Sequence, residues 1–321
     1  MKRILIVGAT GPIGLGREIC KILSKSGTQY ELNVLVRKSA KNNSEKRQYL
    51  NELKACNAQF CEADLKDPDS LLRICEGMDV VMTSATVTSS RQTGDTPETV
   101  DMQGQQDLLV AAEKVGVKKY IYVSYSDNNQ VNADCVLTDA KKEMEVALRA
   151  SLLDYTILKP TYFSECWLSP RFGFDIENRI ASLCNDGQAR ISWVSIKNVA
   201  QFAVSSISHP NARRASLNIG GPEALSVMDI VKYCEQRLEC QFELKNVSER
   251  ALEQALEEAK AGGNSLEQSL AALTLGFTKD DVIDMGVVSN QFPEIKMTSV
   301  KDIIDQKISL MEESVVCLQR A

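Results

Sequence analysis

A scarcity of histidine is the first constraint on function, since His209 is the single histidine among 321 residues. A Ser-His-Asp or Cys-His centre would need His209 as its base, and this residue falls in a segment expected to be a surface loop. Of the ten cysteines, the closest two, Cys56 and Cys61, are five residues apart, which is not the spacing of a metal knuckle. We therefore expect no metal, and thiols that are mostly buried and reduced.

Long apolar runs and an excess of positive charge are also absent. The formal net charge is −6, so the chain has no basic field to hold a phosphate backbone, and we expect no nucleic-acid partner. The first apolar run, residues 4–7, ends at Gly8 and is too short for a signal peptide or a transmembrane helix. We therefore expect a cytoplasmic protein with no membrane span and no evident organellar targeting.

Short apolar runs alternate with helical patterns in the first half of the chain, an order typical of a parallel sheet with helices on both faces. Strands are predicted at residues 3–7, 31–36, 58–61, 79–82, 119–124 and 155–158. Helices are predicted at residues 15–23, 43–53, 68–75, 97–115 and 138–150, with Asp67 as the cap of the third.

The pattern is looser after residue 160. Helices are predicted at residues 175–183, 197–207, 226–238, 248–261, 265–273 and 300–313, and strands at residues 189–194 and 215–219. The fold class is therefore predicted to be α/β, a Rossmann-type doubly wound parallel sheet with a smaller, mostly helical C-terminal lobe. We expect an NAD(P)-binding domain at residues 1–160 and a substrate or cap lobe at residues 161–321, interleaved in one compact unit.

The strongest chemical signal is the sequence GATGPIG at residues 8–14, between the first strand and the first helix. Gly8 allows a tight turn, Gly11 lets backbone amides approach a pyrophosphate, and Gly14 lets helix and strand pack closely. The helix N-terminus adds unpaired N–H groups and the positive end of its dipole, which favours this interpretation over a purely structural turn. The residues expected to contact a dinucleotide here are Gly8, Thr10, Gly11, Pro12, Ile13 and Gly14.

The end of the second strand selects the form of the cofactor. A carboxylate is expected there when a bare ribose 2′-OH is bound, but this chain has Arg37 and Lys38. A guanidinium matches the geometry of a 2′-phosphate, whereas the alternative is an exposed basic pair at a strand end. We therefore expect NADP(H) to be preferred, with NAD(H) possible.

Two further strand ends are expected to border the cofactor. Asp64 and Leu65 follow the third strand, where the carboxylate suits either a contact to the adenine amino group or a helix cap. Thr83, Ser84 and Ala85 follow the fourth strand, and their small side chains would let the cofactor lie close.

Several segments resemble one known family. They are GATGPIG at 8–14, LVRK at 35–38, ADL at 63–65, DYTILKP at 154–160, VSIKNVA at 194–200 and NIGGPEA at 218–224. In these segments the chain resembles the atypical short-chain dehydrogenase/reductase superfamily, most clearly its NmrA-like, isoflavone-reductase-like branch. The resemblance implies NADP(H) laid over the carboxyl ends of the strands, with a substrate between that surface and the C-terminal lobe.

The resemblance also implies candidate catalytic residues. Typical members of the superfamily use Tyr-x-x-x-Lys; the lysine position matches Lys141, but Leu137 stands where the tyrosine would be. The isoflavone-reductase-like branch likewise lacks the tyrosine and keeps a lysine thought to act in proton transfer. Lys141 would then contact the cofactor and serve as acid or base, with an ordinary helix-surface lysine as the alternative. Ser124 matches the family's serine and would bond a substrate carbonyl or cap its strand.

The same comparison implies the surroundings of the nicotinamide. Pro160 and Phe163, after the sixth strand, would flank its ring. Tyr125 and Tyr162 would line the substrate pocket, or one of them would replace the missing tyrosine. Asp101 is expected to be structural.

Two hypotheses of different class follow. The first is an NADP(H)-dependent oxidoreductase that transfers a hydride to a small organic substrate. The second is a non-catalytic NADP(H)-sensing regulator or assembly factor that binds a protein partner. The missing tyrosine favours the second, whereas Lys141 and Ser124 favour the first, which is the interpretation we adopt. We expect a monomer or a homodimer.

Overall fold

The apolar runs of the first half of the chain form one sheet. Its strands are β1 (Lys2–Val7), β2 (Tyr30–Val36), β3 (Gln59–Glu62), β4 (Val80–Thr83), β5 (Lys119–Val123), β6 (Asp154–Pro160) and β9 (Ala215–Ile219). They lie in the order β3-β2-β1-β4-β5-β6-β9, and the pairings from β3 to β6 are parallel. This computed structural model describes residues 1–88, 90–128 and 134–319, with side chains as far as residue 313.

The strand order is that of a doubly wound Rossmann sheet, which confirms the predicted fold class. Every residue of β5 is buried, as is the apolar run of β1 from Ile4 to Val7, which is typical of strands covered on both faces. The order reverses between β1 and β4. Ligands of such sheets bind outside the carboxyl ends of the strands at this reversal, where the glycine loop lies.

Helices follow most of these strands. They are α1 (Leu15–Ser24), α2 (Lys38–Lys41), α3 (Arg47–Ala55), α4 (Pro68–Cys75), α5 (Gln105–Lys114), α6 (Val136–Ala150) and α8 (Ile196–Ser205). The single helix predicted at residues 97–115 is divided, because Pro97–Gly104 is a π-helix capped by Thr96 and α5 follows it. Gly104 lies close to Leu65, since a Cβ on this glycine would be 2.8 Å from the Leu65 Cβ.

The chain divides into two compact units. The first contains Met1–Tyr125, Asp134–Lys159 and Val199–Leu217. The second contains residues 126–128, 160–198 and 218–319 of the described chain. None of the helices in the described residues is both long and apolar enough to cross a membrane.

The second unit contains a small sheet that sequence reasoning missed. Its strands are β7 (Phe174–Asp175), β8 (Ile180–Cys184) and β10 (Glu243–Val247), in the order β10-β8-β7. The helix predicted at residues 175–183 is wrong, because Ala181 and Leu183 are buried in alternation with more exposed neighbours, which is the period of a strand. β10 carries no pattern to detect, since all five of its residues are exposed. The strand predicted at 189–194 forms isolated bridges instead.

The helices of the second unit bury an aromatic and aliphatic core. They are α7 (Ser164–Trp167), α9 (Val227–Leu238), α10 (Glu249–Ala261), α11 (Ser265–Leu275), α12 (Gly286–Gln291) and α13 (Val300–Gln319). The largest buried side chain of this core is Trp193, and Ile304 and Ile308 of α13 are also fully buried in it. This part of the chain is therefore mostly helical, as predicted, apart from the small sheet.

The cap of α4 offers a test of local stability. The Asp67 carboxylate accepts the backbone N–H of Ser70 at 3.2 Å, as predicted for this N-cap, and Pro68 occupies the first helical position. We expect Asp67→Ala to lower the free energy of unfolding by about 1 kcal/mol, because one N–H at the helix start loses its partner. Asp67→Asn keeps the acceptor and should retain most of the stability in chemical denaturation. An equal loss in both variants would contradict the assigned cap.

Candidate functional site

The glycine loop has a backbone that only glycine adopts readily. Gly8, directly after β1, has φ +102°, and a Cβ on it would lie 2.7 Å from the backbone nitrogen of Ala85. Gly14 has φ +92° and precedes α1 without a side-chain hydrogen bond to the helix. The residue at the N-cap of α1 therefore leaves the first N–H groups of the helix uncapped, which is the condition for binding an anion there. The other predicted contacts are partly or fully exposed: Thr10, Gly11, Pro12 and Ile13.

Arg17 fixes this loop, and sequence reasoning missed it. Its buried guanidinium donates to the carbonyl oxygens of Ala9 at 3.3 Å, of Gly11, and of Pro12 at 3.4 Å. It also lies over the ring of Tyr49, 4.0 Å from the centroid. The detectable signal was an arginine in the first turn of α1, where the helix dipole disfavours a cation.

Gln105 positions the segment that follows β4. Its buried side-chain amide accepts the Thr83 hydroxyl at 3.1 Å and donates to the Ala85 carbonyl at 3.0 Å. The Ser84 N–H donates to the Val7 carbonyl at 3.0 Å, which joins this segment to the end of β1. The small residues predicted after β4 therefore lie directly beside the glycine loop.

The basic pair after β2 is divided between two environments. The Arg37 guanidinium forms an ion pair with Asp95 and donates to the Ser90 carbonyl at 3.1 Å. Lys38 is exposed and begins α2. Arg37 is thus held in place by partners from the segment after β4, whereas Lys38 extends into solvent.

Asp64 does not cap a helix, so that alternative is wrong. The N-cap of α4 is Asp67, whose carboxylate accepts the Ser70 N–H. The Asp64 carboxylate instead accepts the backbone N–H of Lys66 at 3.0 Å and the side-chain amide of Gln92. Its predicted contact to adenine stays a prediction. The neighbouring Leu65 is buried.

Lys141 is buried, which contradicts the alternative of an ordinary surface lysine. It is 3% exposed, and its ammonium donates to the Val123 carbonyl at the end of β5, at 3.1 Å. The same nitrogen lies 5.1 Å from the ring centroid of Tyr122 and 5.0 Å from that of the half-buried Tyr125. Burial lowers the pKa of Lys141, and two neighbouring carboxylates act in the opposite sense.

These carboxylates are Glu145 and Asp101, and neither was predicted to be functional. Glu145 is buried and accepts the Ser124 hydroxyl at 2.6 Å, the Lys159 ammonium at 3.1 Å and the Arg149 guanidinium at 3.0 Å. Asp101 is fully buried, and burial raises its pKa while the charge of Lys141 opposes that shift. The Ser124 hydroxyl thus donates its hydrogen bond to Glu145, and this bond would have to break before Ser124 could donate to a substrate carbonyl.

The remaining predicted residues belong to the second unit. Tyr162 is buried, its hydroxyl donates to the Leu273 carbonyl at 3.2 Å, and its ring centroid lies 4.4 Å from that of Phe277. Pro160 is buried and Phe163 is half-buried. The Tyr162 hydroxyl therefore already has a backbone partner inside that unit.

The chain belongs to the NmrA-like family, whose family model matches residues 1–304. This confirms the resemblance stated from the sequence. The photosystem II assembly factor Ycf39 of Trieres chinensis is 26% identical over 233 residues, which cover 73% of this chain and 68% of that protein. The phenylcoumaran benzylic ether reductase PT1 of Pinus taeda is 25% identical over 318 residues, covering 94% of this chain and 97% of the reductase.

The fold is similar to that of a solved oxidoreductase. The crystal structure of an NADPH-dependent quinone oxidoreductase from Escherichia coli, in complex with NADPH, matches with a TM-score of 0.71 and 22% sequence identity. The match covers 95% of this chain and 99% of that one. The relatives thus include both reductases and assembly factors.

The buried charges around Glu145 offer a second test. Glu145→Ala removes the ion pair of the buried Lys159 and one of the two negative charges near the buried Lys141, so we expect it to lower the free energy of unfolding by about 3–5 kcal/mol. Glu145→Gln keeps an acceptor and should cost less. Glu143→Ala, an exposed glutamate on the same helix, should change stability by less than about 0.5 kcal/mol. Chemical denaturation measures all three, and equal values for the two alanine variants would contradict the network.

Proposed function

We propose that this protein is an NADPH-dependent reductase of a small organic substrate. The observation that carries the proposal is the placement of Lys141, a buried cation bonded to the last residue of β5 in a Rossmann sheet. A buried lysine with a lowered pKa, held at the ligand-binding edge of such a sheet, is suited to proton transfer rather than to solubility or surface pairing.

The residues present fit a dinucleotide. The glycine loop offers an uncapped helix N-terminus for the pyrophosphate, and the close approach of Gly8 to Ala85 leaves no room for a side chain there. The residues that would hold NADP(H) are Gly8, Thr10, Gly11, Pro12, Ile13, Gly14, Arg37, Lys38, Asp64, Leu65, Thr83, Ser84, Ala85, Lys141, Pro160 and Phe163. NADPH, when bound, supplies a hydride.

The chain's own groups supply the proton. Lys141 is a donor whose pKa is lowered by burial, so its ammonium releases a proton more readily than an ordinary lysine does. Ser124 donates to Glu145, which fixes the direction of its hydroxyl beside the end of β5. We assign Lys141 as proton donor, and Tyr125 and Tyr162 as walls of the substrate site. We assign Ser124 as a hydrogen-bonding group for the substrate that acts once its bond to Glu145 breaks.

A second candidate is a non-catalytic NADP(H)-sensing factor that binds a protein partner. It is supported by Leu137 at the place of the family's tyrosine, by the engaged Ser124 hydroxyl and by the relatives that are assembly factors. A reducing, cytoplasmic compartment is proposed for either function. It is supported by the burial of five cysteines of the described chain, Cys20, Cys56, Cys75, Cys135 and Cys234. A monomer or a homodimer stays a prediction.

The choice of cofactor is tested at Arg37. Arg37→Ala should weaken NADPH by roughly tenfold or more, because a charge-assisted hydrogen bond to the 2′-phosphate is lost, and should leave NADH nearly unchanged. Lys41→Ala, which removes an exposed cation of the adjoining helix, is the matched control. Calorimetric titration with both cofactors measures the effect. Equal losses for NADPH and NADH would remove the assigned contact.

The catalytic role of Lys141 is tested by turnover. Lys141→Ala should lower kcat by about 10²–10⁴-fold, beyond any loss of cofactor affinity, because a general acid is removed. Lys141→Arg keeps the charge but holds its proton at neutral pH, so it should restore binding and not turnover. Lys142→Ala on the same helix is the control. Wild-type turnover should fall as pH rises through the lowered pKa of Lys141, since the donor then loses its proton.

The opposite results identify the alternatives. Full turnover by Lys141→Ala would move the acid role to Tyr125 or Tyr162. Tight NADPH binding without oxidation against quinones, enones and benzylic ethers would favour the sensing factor.

A further inference from the structure

One buried carboxylate already lies among the cations at the end of β2. The Asp95 side chain is 1% exposed and pairs with Arg37 through Oδ2 and with Lys66 through Oδ1, the latter at 2.7 Å. Lys46 belongs to the same cluster, since its ammonium donates to the Ser90 hydroxyl at 2.6 Å. Burial and then the charge of Arg37 lower the pKa of Lys46, and Asp95 acts in the opposite sense. Asp95 therefore pairs with two cations, and the charge of Asp95 also acts on a third, Lys46.

Ser90 and Asp95 belong to the segment of residues 90–96, which follows β4. This segment is also bonded to Asp64, a second residue predicted to contact the cofactor. The Gln92 side chain donates to Asp64, and the Gln92 backbone N–H donates to Asp95 Oδ2 at 2.9 Å. The Ser39 hydroxyl donates to the Gln92 side-chain oxygen at 2.8 Å. The 90–96 segment thus bonds both Asp64 and Arg37, two of the residues that were predicted from the sequence to contact the adenosine end of the cofactor.

Asp95 has the charge needed to occupy an anion site. Burial alone would raise the pKa of Asp95, but hydrogen bonds from Lys66 and Arg37 hold it below its usual value, so the carboxylate is ionised at neutral pH. A phosphate monoester carries about −1.5 to −2 charges at neutral pH and accepts hydrogen bonds from the same donors. Arg37 and Lys66 therefore cannot pair with the Asp95 carboxylate and with a phosphate at the same time.

We propose that Asp95 determines cofactor specificity by competing, inside the chain, with the 2′-phosphate of NADP(H) for Arg37 and Lys66. The proposal rests on the proposed function, because it takes Arg37 as the phosphate contact. The ribose 2′-OH of NAD(H) is uncharged, so NAD(H) can bind while Asp95 stays paired with Arg37 and Lys66. Asp95 therefore lowers the affinity for NADP(H) more than for NAD(H), and it makes phosphate binding release the 90–96 segment.

The direct test is calorimetric titration of wild type and Asp95→Asn with NADP⁺ and NAD⁺. The amide keeps the shape and removes the charge, so we expect NADP⁺ to bind about tenfold more tightly to the variant and NAD⁺ to change by less than about twofold. Asp69→Asn removes an exposed negative charge from the first turn of α4 and should change neither. Unchanged or weaker NADP⁺ binding by Asp95→Asn would overturn the proposal.

A measurement on the wild type guards against a folding defect in the variant. Hydrogen exchange should be faster in peptides covering residues 90–96 with saturating NADP⁺ than with saturating NAD⁺, because the Gln92 N–H loses its bond to Asp95. Equal exchange with the two nucleotides would contradict the displacement. If NADP⁺ binds through Arg37 but neither effect is seen, this inference fails and the reductase stands. If NADP⁺ does not bind at all, both fail.

Discussion

The burial of a lysine ammonium at the end of β5 is the constraint on which the proposed site depends. A buried cation is costly unless neighbouring charges and hydrogen bonds offset its loss of water. Here the Val123 carbonyl accepts from Lys141, and Asp101 and Glu145 supply negative charge. Glu145 also neutralises Lys159, so removal of one carboxylate would affect two buried cations. Glu145 positions the Ser124 hydroxyl, which donates to it, whereas the Val123 carbonyl positions the Lys141 ammonium.

The cofactor half of the site depends on backbone packing rather than on charge. β1 and β4 are neighbours, and their ends approach so closely that Gly8 has no space for a Cβ. The Arg17 guanidinium donates hydrogen bonds to three carbonyl groups of the loop. Gln105 holds the segment that follows β4, through its bond to the Ala85 carbonyl. Together these contacts hold in place the uncapped N-terminus of α1. All of these contacts come from the chain's own residues, and a loop held by such contacts has a lower ordering cost on binding.

The sequence was sufficient wherever a pattern is local. The parallel strands, the tight turn at the glycine loop and the Asp67 cap are predicted from short segments, and the structure agrees with each of those elements. The cofactor contact of Arg37 stays a prediction. Residues that act through distant partners were missed. Glu145 and Gln105 have no local signature, and Asp95 reaches Arg37 across 58 positions of sequence. The helix predicted at 175–183 is wrong because the alternating pattern of β8 covers only five residues, which is too short to distinguish a strand from a helix. The strand β10 was missed because it has no buried face.

Deuterium transfer from NADPH tests the central claim most directly. The protein is incubated with NADPH deuterated at either face of C4 and with quinone, enone or benzylic ether substrates, and the product is analysed by mass spectrometry. We expect deuterium from one face only to appear in the product, and we expect this transfer to fall in Lys141→Ala while NADPH remains bound. Stoichiometric binding of NADPH with no deuterium in any product would contradict a reductase and leave a nucleotide-binding regulator.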